Sequence, residues 1–199
     1  MNFQPLVSII TPSFNQAAFL EQTLLSVLNQ DYPNLEYWVI DGGSTDNSLE
    51  IIKRSASKLA GWVSEKDKGQ ADGINKGFAK ATGEIIGWLN SDDLYYPSAI
   101  ANAVEAFQRY PDASFVFSDV ESIDEHGNPM DLHVRLTVGD AFMGSGWLRF
   151  DGEMIECESY GPSIGRLSQQ VKAQLPVDGF GTHPIVADGY LLSTKEWEV

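Results

Sequence analysis

Short apolar runs that stop abruptly in polar clusters recur along the first two thirds of the chain, with helical periodicity between them. Leu6-Val7-Ser8-Ile9-Ile10-Thr11 is β-branched and ends at Pro12, which predicts a buried strand followed by a loop, Pro12-Ser13-Phe14-Asn15. Over residues 18–30, Leu20, Leu24, Val27 and Leu28 share one helical face, and Asp31-Tyr32-Pro33-Asn34 closes the helix. A second run, 35–40, leads into Asp41-Gly42-Gly43-Ser44-Thr45-Asp46, where Ser44 or Thr45 is expected to cap a helix with Leu49 and Ile52 inside. A weaker strand at 60–64 precedes the loop 65–69 and a helix carrying Ile74, Phe78 and Ala81, with Gly83 expected as a left-handed C-terminal cap. Ile85-Ile86-Gly87-Trp88-Leu89 is the fourth strand and delivers Asn90-Ser91-Asp92-Asp93 at its end. Pro97 is expected near the first turn of a helix burying Ile100, Val104 and Phe107, ahead of a fifth strand at 114–118 and a hairpin turn at 124–129.

Strands beginning near residues 6, 35, 59, 85 and 114 have the spacing of βαβ units and predict an α/β fold with a mostly parallel, doubly wound open sheet. Beyond about residue 130 the pattern lapses. Residues 131–199 hold only short apolar pieces, such as Val134-Arg135-Leu136 and Gly189-Tyr190-Leu191-Leu192, and no internal repeat. The expected division is a core over 1–130 and an atypical, poorly packed segment over 131–199, of the kind a truncated or frame-shifted end would produce.

Charge narrows the partners. Of 199 residues, 28 are acidic and 13 basic, a formal charge of −15, which disfavours nucleic acid and anionic membranes as electrostatic partners. An anionic ligand then needs a bound divalent cation, which locally reverses the field a phosphate meets. Cys157 is the only cysteine, so neither an internal disulfide nor a cysteine-based zinc cluster forms. No run reaches the roughly 18 apolar residues of a membrane span, and the N-terminus has no basic leader. The expectation is a cytoplasmic protein, with peripheral membrane association through a partner still open.

Neither a P-loop spelling nor a dinucleotide Gly-x-Gly-x-x-Gly is present. What remains is four polar clusters at strand ends, 11–15, 41–46, 65–72 and 90–93, which an open α/β sheet brings to one crevice. Asp92 and Asp93 offer hard oxygen ligands there. Alternatively, Asn-Ser-Asp-Asp is turn chemistry, Asp41 caps the Gly42-Gly43 turn, Asp46 is a first-turn acid, Phe14 is core, and Lys66, Lys68 and Lys76 are solvated charges. His126, His133 and His183 lack metal-ligand spacing.

Thr11-Pro12-Ser13-Phe14-Asn15, Ile40-Asp41-Gly42-Gly43-Ser44-Thr45-Asp46, the block from Ser64-Glu65-Lys66-Asp67 to Asn75-Lys76-Gly77, and Leu89-Asn90-Ser91-Asp92-Asp93 together resemble the family 2 glycosyltransferases, over roughly residues 5–128. The third block is most similar to members that assemble bacterial exopolysaccharide and lipopolysaccharide. The resemblance implies a GT-A fold with helices on both faces of the sheet. It implies transfer of a sugar, usually with inversion, from a nucleotide-diphosphate sugar to an acceptor hydroxyl, here a saccharide or lipid-linked saccharide at the inner membrane face. It places Thr11, Pro12, Phe14 and Asp41 around the base, Asp67 and Asp72 in the loop that completes the donor pocket, Asp92 on the donor, and Asp93 with Asp92 on Mn2+ or Mg2+. Asn90 stands where many relatives carry another Asp. The general base has no assignment: Asp151, Glu153, Glu156, Asp178 and Asp188 are acids without a family context. The competing expectations are a catalytically incomplete nucleotide-sugar-binding module and, less favoured without the glycine fingerprint, an NAD-type enzyme.

Overall fold

The computed structural model describes residues 4–111, 113, 115–116, 120–134 and 145–149. Strands β1 (Val7–Ser13), β2 (Leu35–Asp41), β3 (Gly61–Ser64) and β4 (Ile85–Leu89) are mutually parallel in the order β3-β2-β1-β4. The helices are α1 (Leu20–Leu28), α2 (Ser48–Ser55), α3 (Gln70–Phe78) and α4 (Ala99–Arg109). Beside this core, β5 (Phe115–Val116) is separated from β4 by an antiparallel strand, while β6 (Val120–Ile123) and β7 (Pro129–Val134) form a separate hairpin. The intervening strand is β8 (Ser145–Arg149).

All seven residues of β1 and all five of β4 are buried, which explains their unbroken apolar runs: both faces of the sheet are covered. Right-handed crossovers put α1 and α2 on one face as the chain moves from β1 to β2 to β3. The return from β3 to β4 puts α3 on the other. Ile10 and Pro12 point to α3, and a Cβ on Gly77 would lie 2.3 Å from Ile10 Cγ2. Gly77→Ala is expected to cost a net ~1–2 kcal/mol, overpacking outweighing the gain in helix propensity. Urea unfolding checks it, through a lower midpoint at unchanged slope.

Several local expectations are corrected. Gly83 is not a left-handed cap, since α3 ends at Phe78 and the positive-φ glycines among the described residues are Gly43, Gly69 and Gly127. Its role is close approach: a Cβ would come within 2.7 Å of Leu6 O and Ser8 N, and its N–H donates to Ser8 Oγ at 2.8 Å. Ser8 Oγ in turn donates to Glu36, whose Oε2 also accepts the Thr82 N–H at 2.9 Å, so the starts of β1, β2 and β4 are tied together. Burial raises the Glu36 pKa, but these hydrogen bonds outweigh it and hold the carboxyl below its ordinary range. Ser44 and Thr45 do not cap α2; Asp46 Oδ1 accepts the Ser48 N–H at 3.0 Å instead. Pro97 precedes α4, which begins at Ala99 after Ser98 in a left-handed conformation, φ +65°.

The hairpin turn at 124–129 is present, with the Asp124 N–H donating to Asn128 O at 2.9 Å and Gly127 at φ +81°. Of the fifth strand expected over 114–118, Phe115–Val116 is strand, and residues 114, 117 and 118 lie outside the described residues. The sheet also takes β8 from beyond residue 130, because the free edge of β4 accepts an antiparallel partner there. The acids proposed as base candidates, the piece 189–192, and the expected poor packing of the rest of 131–199 lie outside the described residues. Among the described residues no helix is long and apolar enough to cross a membrane.

Candidate functional site

The strand order reverses direction between β1 and β4, and the loops at their carboxyl ends part to leave a crevice. A cleft of about 540 Å³ occupies it, lined by Pro12, Ser13, Phe14 and Gln16 after β1, Gly42 after β2, Lys66, Asp67, Gly69 and Gln70 after β3, and Asn90, Ser91 and Asp92 after β4. All four polar clusters therefore reach one site. Phe14 is 58% exposed and forms an open aromatic wall rather than core.

Two loops form the floor by binding each other. Asn15, at φ +54°, accepts the Thr45 N–H through Oδ1 at 2.8 Å and donates its own N–H to Ser44 Oγ at 2.8 Å. Asp46 Oδ2 accepts the Ala17 N–H at 3.0 Å. Slight burial pushes the Asp46 pKa up, yet the hydrogen bonds prevail and lower it.

Asp41 is fully buried and faces inward. Its Oδ2 accepts the N–H groups of Gly43 and Ser44, at 3.2 and 3.1 Å, and Ser64 Oγ at 2.6 Å, while Ser44 Oγ donates to Oδ1. It caps the Gly42-Gly43 turn and does not line the cleft. Thr11 is likewise buried, sharing a 2.8 Å hydrogen bond with Tyr37 Oη. Because Asp41 carries four donors, Asp41→Ala is expected to cost ~2–4 kcal/mol of stability, by orphaning buried donors, before any effect on binding. Chemical denaturation with and without nucleotide separates the two effects.

The carboxylate that does lie in the cleft beside Gly42 is Asp67. A Cβ on Gly42 would sit 2.6 Å from Asp67 Oδ2, so glycine is what lets the two loops meet. Asp67 Oδ1 accepts the Gly69 N–H at 2.9 Å, which fixes the turn at Gly69, φ +115°, before α3. Asp72 lies outside the lining. It accepts the Lys68 N–H at 3.1 Å, the main reason its pKa falls, and pairs with Lys76 at 3.3 Å. Lys76 also pairs with Glu65 at 2.9 Å, so it braces this loop rather than standing free in solvent.

At the β4 end, Asp92 is exposed on the cleft wall, with Gln16 Nε2 3.5 Å from its Oδ2. Asp93 is largely buried. Burial first, and the Asp92 charge second, push its pKa up to about 6, against the Asn90 Nδ2 donor at 3.0 Å. Among the described residues no group of three or more His, Cys, Asp and Glu is arranged around a metal. A pair of carboxylates nonetheless fits a hard cation that draws its remaining ligands from phosphate and water.

Pro12, Phe14, Asp67 and Asp92 are thus brought together from the expected set, while Thr11, Asp41, Asp72 and Asp93 stand behind them. Gln16, Gln70, Asn90 and Ser91 line the cleft without having been assigned from sequence. Their signal was only position, within or next to the polar clusters.

Residues 8–156 match the family model for glycosyl transferase family 2. A putative teichuronic acid biosynthesis glycosyltransferase, TuaG of Bacillus subtilis, is 31% identical over 147 residues, covering 70% of this chain and 58% of that protein. An uncharacterized glycosyltransferase of Mycobacterium tuberculosis is 41% identical over 108 residues, 53% of this chain and 41% of its own length. Among solved structures, mannosyltransferase PcManGT from Pyrobaculum calidifontis in complex with GDP-Man and Mn2+ superposes with a TM-score of 0.66 at 24% identity, over 86% of this chain and 53% of that one. Glucosyl-3-phosphoglycerate synthase from Mycobacterium tuberculosis, with Mn2+, UDP and glucosyl-3-phosphoglycerate, gives 0.61 at 18%, over 85% and 66%. These likenesses establish the GT-A fold. The chain spans well under two thirds of the length of the curated relatives it matches, 58% at TuaG and 41% at the mycobacterial protein.

Proposed function

The chain belongs to glycosyltransferase family 2, and from that premise we propose that it moves a sugar from a nucleotide-diphosphate sugar to an acceptor hydroxyl, with inversion, in cell-surface polysaccharide synthesis. The observation that carries this reading is the single cleft across the ends of β3, β2, β1 and β4, with a lone exposed carboxylate, Asp92, at one end and Lys66 and Asp67 at the other. Three inter-strand spacings separate those ends, roughly 14 Å, enough for an extended nucleoside diphosphate.

Asp92 and Asp93 would hold Mn2+ or Mg2+, which when bound stabilises charge on the departing diphosphate. Asp92 would also meet the donor, Phe14 and Pro12 would flank the base, and Asp67 would close the pocket, its loop braced by Asp72. Thr11 and Asp41 would serve from beneath by setting the floor on which the base rests. The acceptor would be a saccharide or lipid-linked saccharide, and the reaction would take place in the cytoplasm or at the inner membrane face. Support comes from one relative named for teichuronic acid synthesis and from fold neighbours that hold GDP-Man or UDP together with Mn2+.

The test is a panel of UDP-, GDP- and dTDP-sugars, with and without Mn2+, read by calorimetry and by slow donor hydrolysis. Saturable, Mn2+-strengthened binding of at least one donor is expected. No binding of any member would overturn the reading, and binding without hydrolysis or transfer would reduce the chain to a donor-binding module.

A further inference from the structure

Asp93 is connected to the opposite wall of the cleft by two side chains, Asn90 and Gln70, to which the resemblance assigned no role. Asn90, at the end of β4, donates from Nδ2 to Asp93 Oδ2 at 3.0 Å. Its Oδ1 accepts from Gln70 Nε2 at 2.5 Å, across 20 residues of chain. Gln70 is the first residue of α3 and follows the turn that Asp67 fixes through Gly69.

Polarity makes this arrangement directional. An ionised carboxylate only accepts, so Asn90 must present its amide nitrogen to Asp93. That leaves Oδ1 facing Gln70, which must therefore donate. Each amide orientation is dictated by the one before it, starting from the charge on Asp93. A carboxylate free to rotate in a largely buried site would meet a cation in many orientations, whereas one held by a fixed donor is pre-aimed.

We infer that Gln70 and Asn90 are positioning residues that orient Asp93 for a divalent cation and so couple the α3 wall of the donor cleft to the metal end. This rests on the glycosyltransferase reading above, because that reading gives Asp93 its cation. Asn90 then has a use that an aspartate at the same position would lack: a carboxylate could neither donate to Asp93 nor avoid repelling it.

The test is Mn2+ binding to the nucleotide-free protein, followed by the EPR signal of free Mn2+, with thermal unfolding in EDTA as the check on folding. Gln70→Ala and Asn90→Ala are each expected to weaken Mn2+ binding about tenfold, the usual consequence of losing a residue that orients a ligand. Gln70→Glu separates this from simple charge. It keeps size and adds a negative charge, which by Coulomb attraction alone would tighten Mn2+. A carboxylate cannot donate to Asn90 Oδ1, however, so the relay requires weaker binding, at least as weak as in Gln70→Ala. Wild-type affinity in Gln70→Ala, or tighter binding in Gln70→Glu, overturns the relay and leaves the glycosyltransferase reading standing. Failure of the wild-type protein to bind Mn2+, alone or with any nucleoside diphosphate, overturns both.

Discussion

Asp92→Ala is expected to lower Mn2+-stimulated donor turnover by on the order of a thousandfold while leaving the fold intact. Asp92 is exposed, and its one hydrogen-bond partner among the described residues is Gln16 Nε2 at 3.5 Å, the far edge of a hydrogen bond, so truncation removes almost nothing that holds the protein together. Its cost falls on the metal, whose stabilisation of charge on a leaving diphosphate is worth several kcal/mol, and each ~1.4 kcal/mol is a factor of ten in rate. The sign in EDTA is opposite. In a chain of formal charge −15, deleting a carboxylate from the cleft wall relieves repulsion, so metal-free affinity for UDP or GDP should stay level or rise slightly. Steady-state hydrolysis with Mn2+, paired with calorimetry in EDTA, reads both signs. Wild-type turnover in the variant would remove Asp92 from the metal site, and a large loss of EDTA affinity would recast it as a residue that touches the donor alone.

The central strands were legible because β1 and β4 are buried along their whole length and β2 at Tyr37 and from Val39 to Asp41, so that each reads largely as an apolar run. β3, half-buried at the sheet edge, was correspondingly fainter. β8 was illegible: Ser145-Gly146-Trp147-Leu148-Arg149 neither alternates nor forms an apolar run, and its partner Ile85–Leu89 lies some sixty residues away. A pairing of that kind is set by a vacant sheet edge, which local sequence does not display.

The site divides in the same way. Membership of the cleft followed from topology, since whatever ends a parallel strand near the switch point faces the crevice. Side-chain direction did not follow. Asp41 and Asp67 are both acids beside glycine-bearing turns, yet one is turned under its loop by four donors and the other lies over Gly42 in the cleft. What separates them is backbone conformation at Gly43 and Gly69, together with the position of Ser64 across the sheet, and these emerge only when the strands are paired. Thr11 and Pro12 differ for a simpler reason. Neighbours on a strand point to opposite faces, and Tyr37 takes the Thr11 hydroxyl.

Asp93→Asn should make the metal-free protein more stable at neutral pH. In the folded chain the Asp93 pKa is about 6, against an ordinary 3.8, because burial and then the charge of Asp92 disfavour the carboxylate. The folded state therefore holds this proton more tightly than the unfolded state does. The stability that goes with it is fully present below about pH 4 and is lost as pH rises through about 6. The difference between 3.8 and about 6, at about 1.4 kcal/mol per pH unit, is about 3 kcal/mol, given up by the wild-type protein above pH 6. An asparagine has nothing to ionise, and its carbonyl still accepts from Asn90 Nδ2. Urea unfolding in EDTA between pH 4 and 8 is the measurement: the wild-type protein should lose stability across pH 4 to 6 relative to the variant, and the gap should then stay level. Curves that run parallel over that range would mean that Asp93 is ionised at no cost, and that the burial at the β4 end is not what holds its proton. The same cost gives the carboxylate its use, since a group kept uneasy in its charged form gains most when a cation arrives beside it.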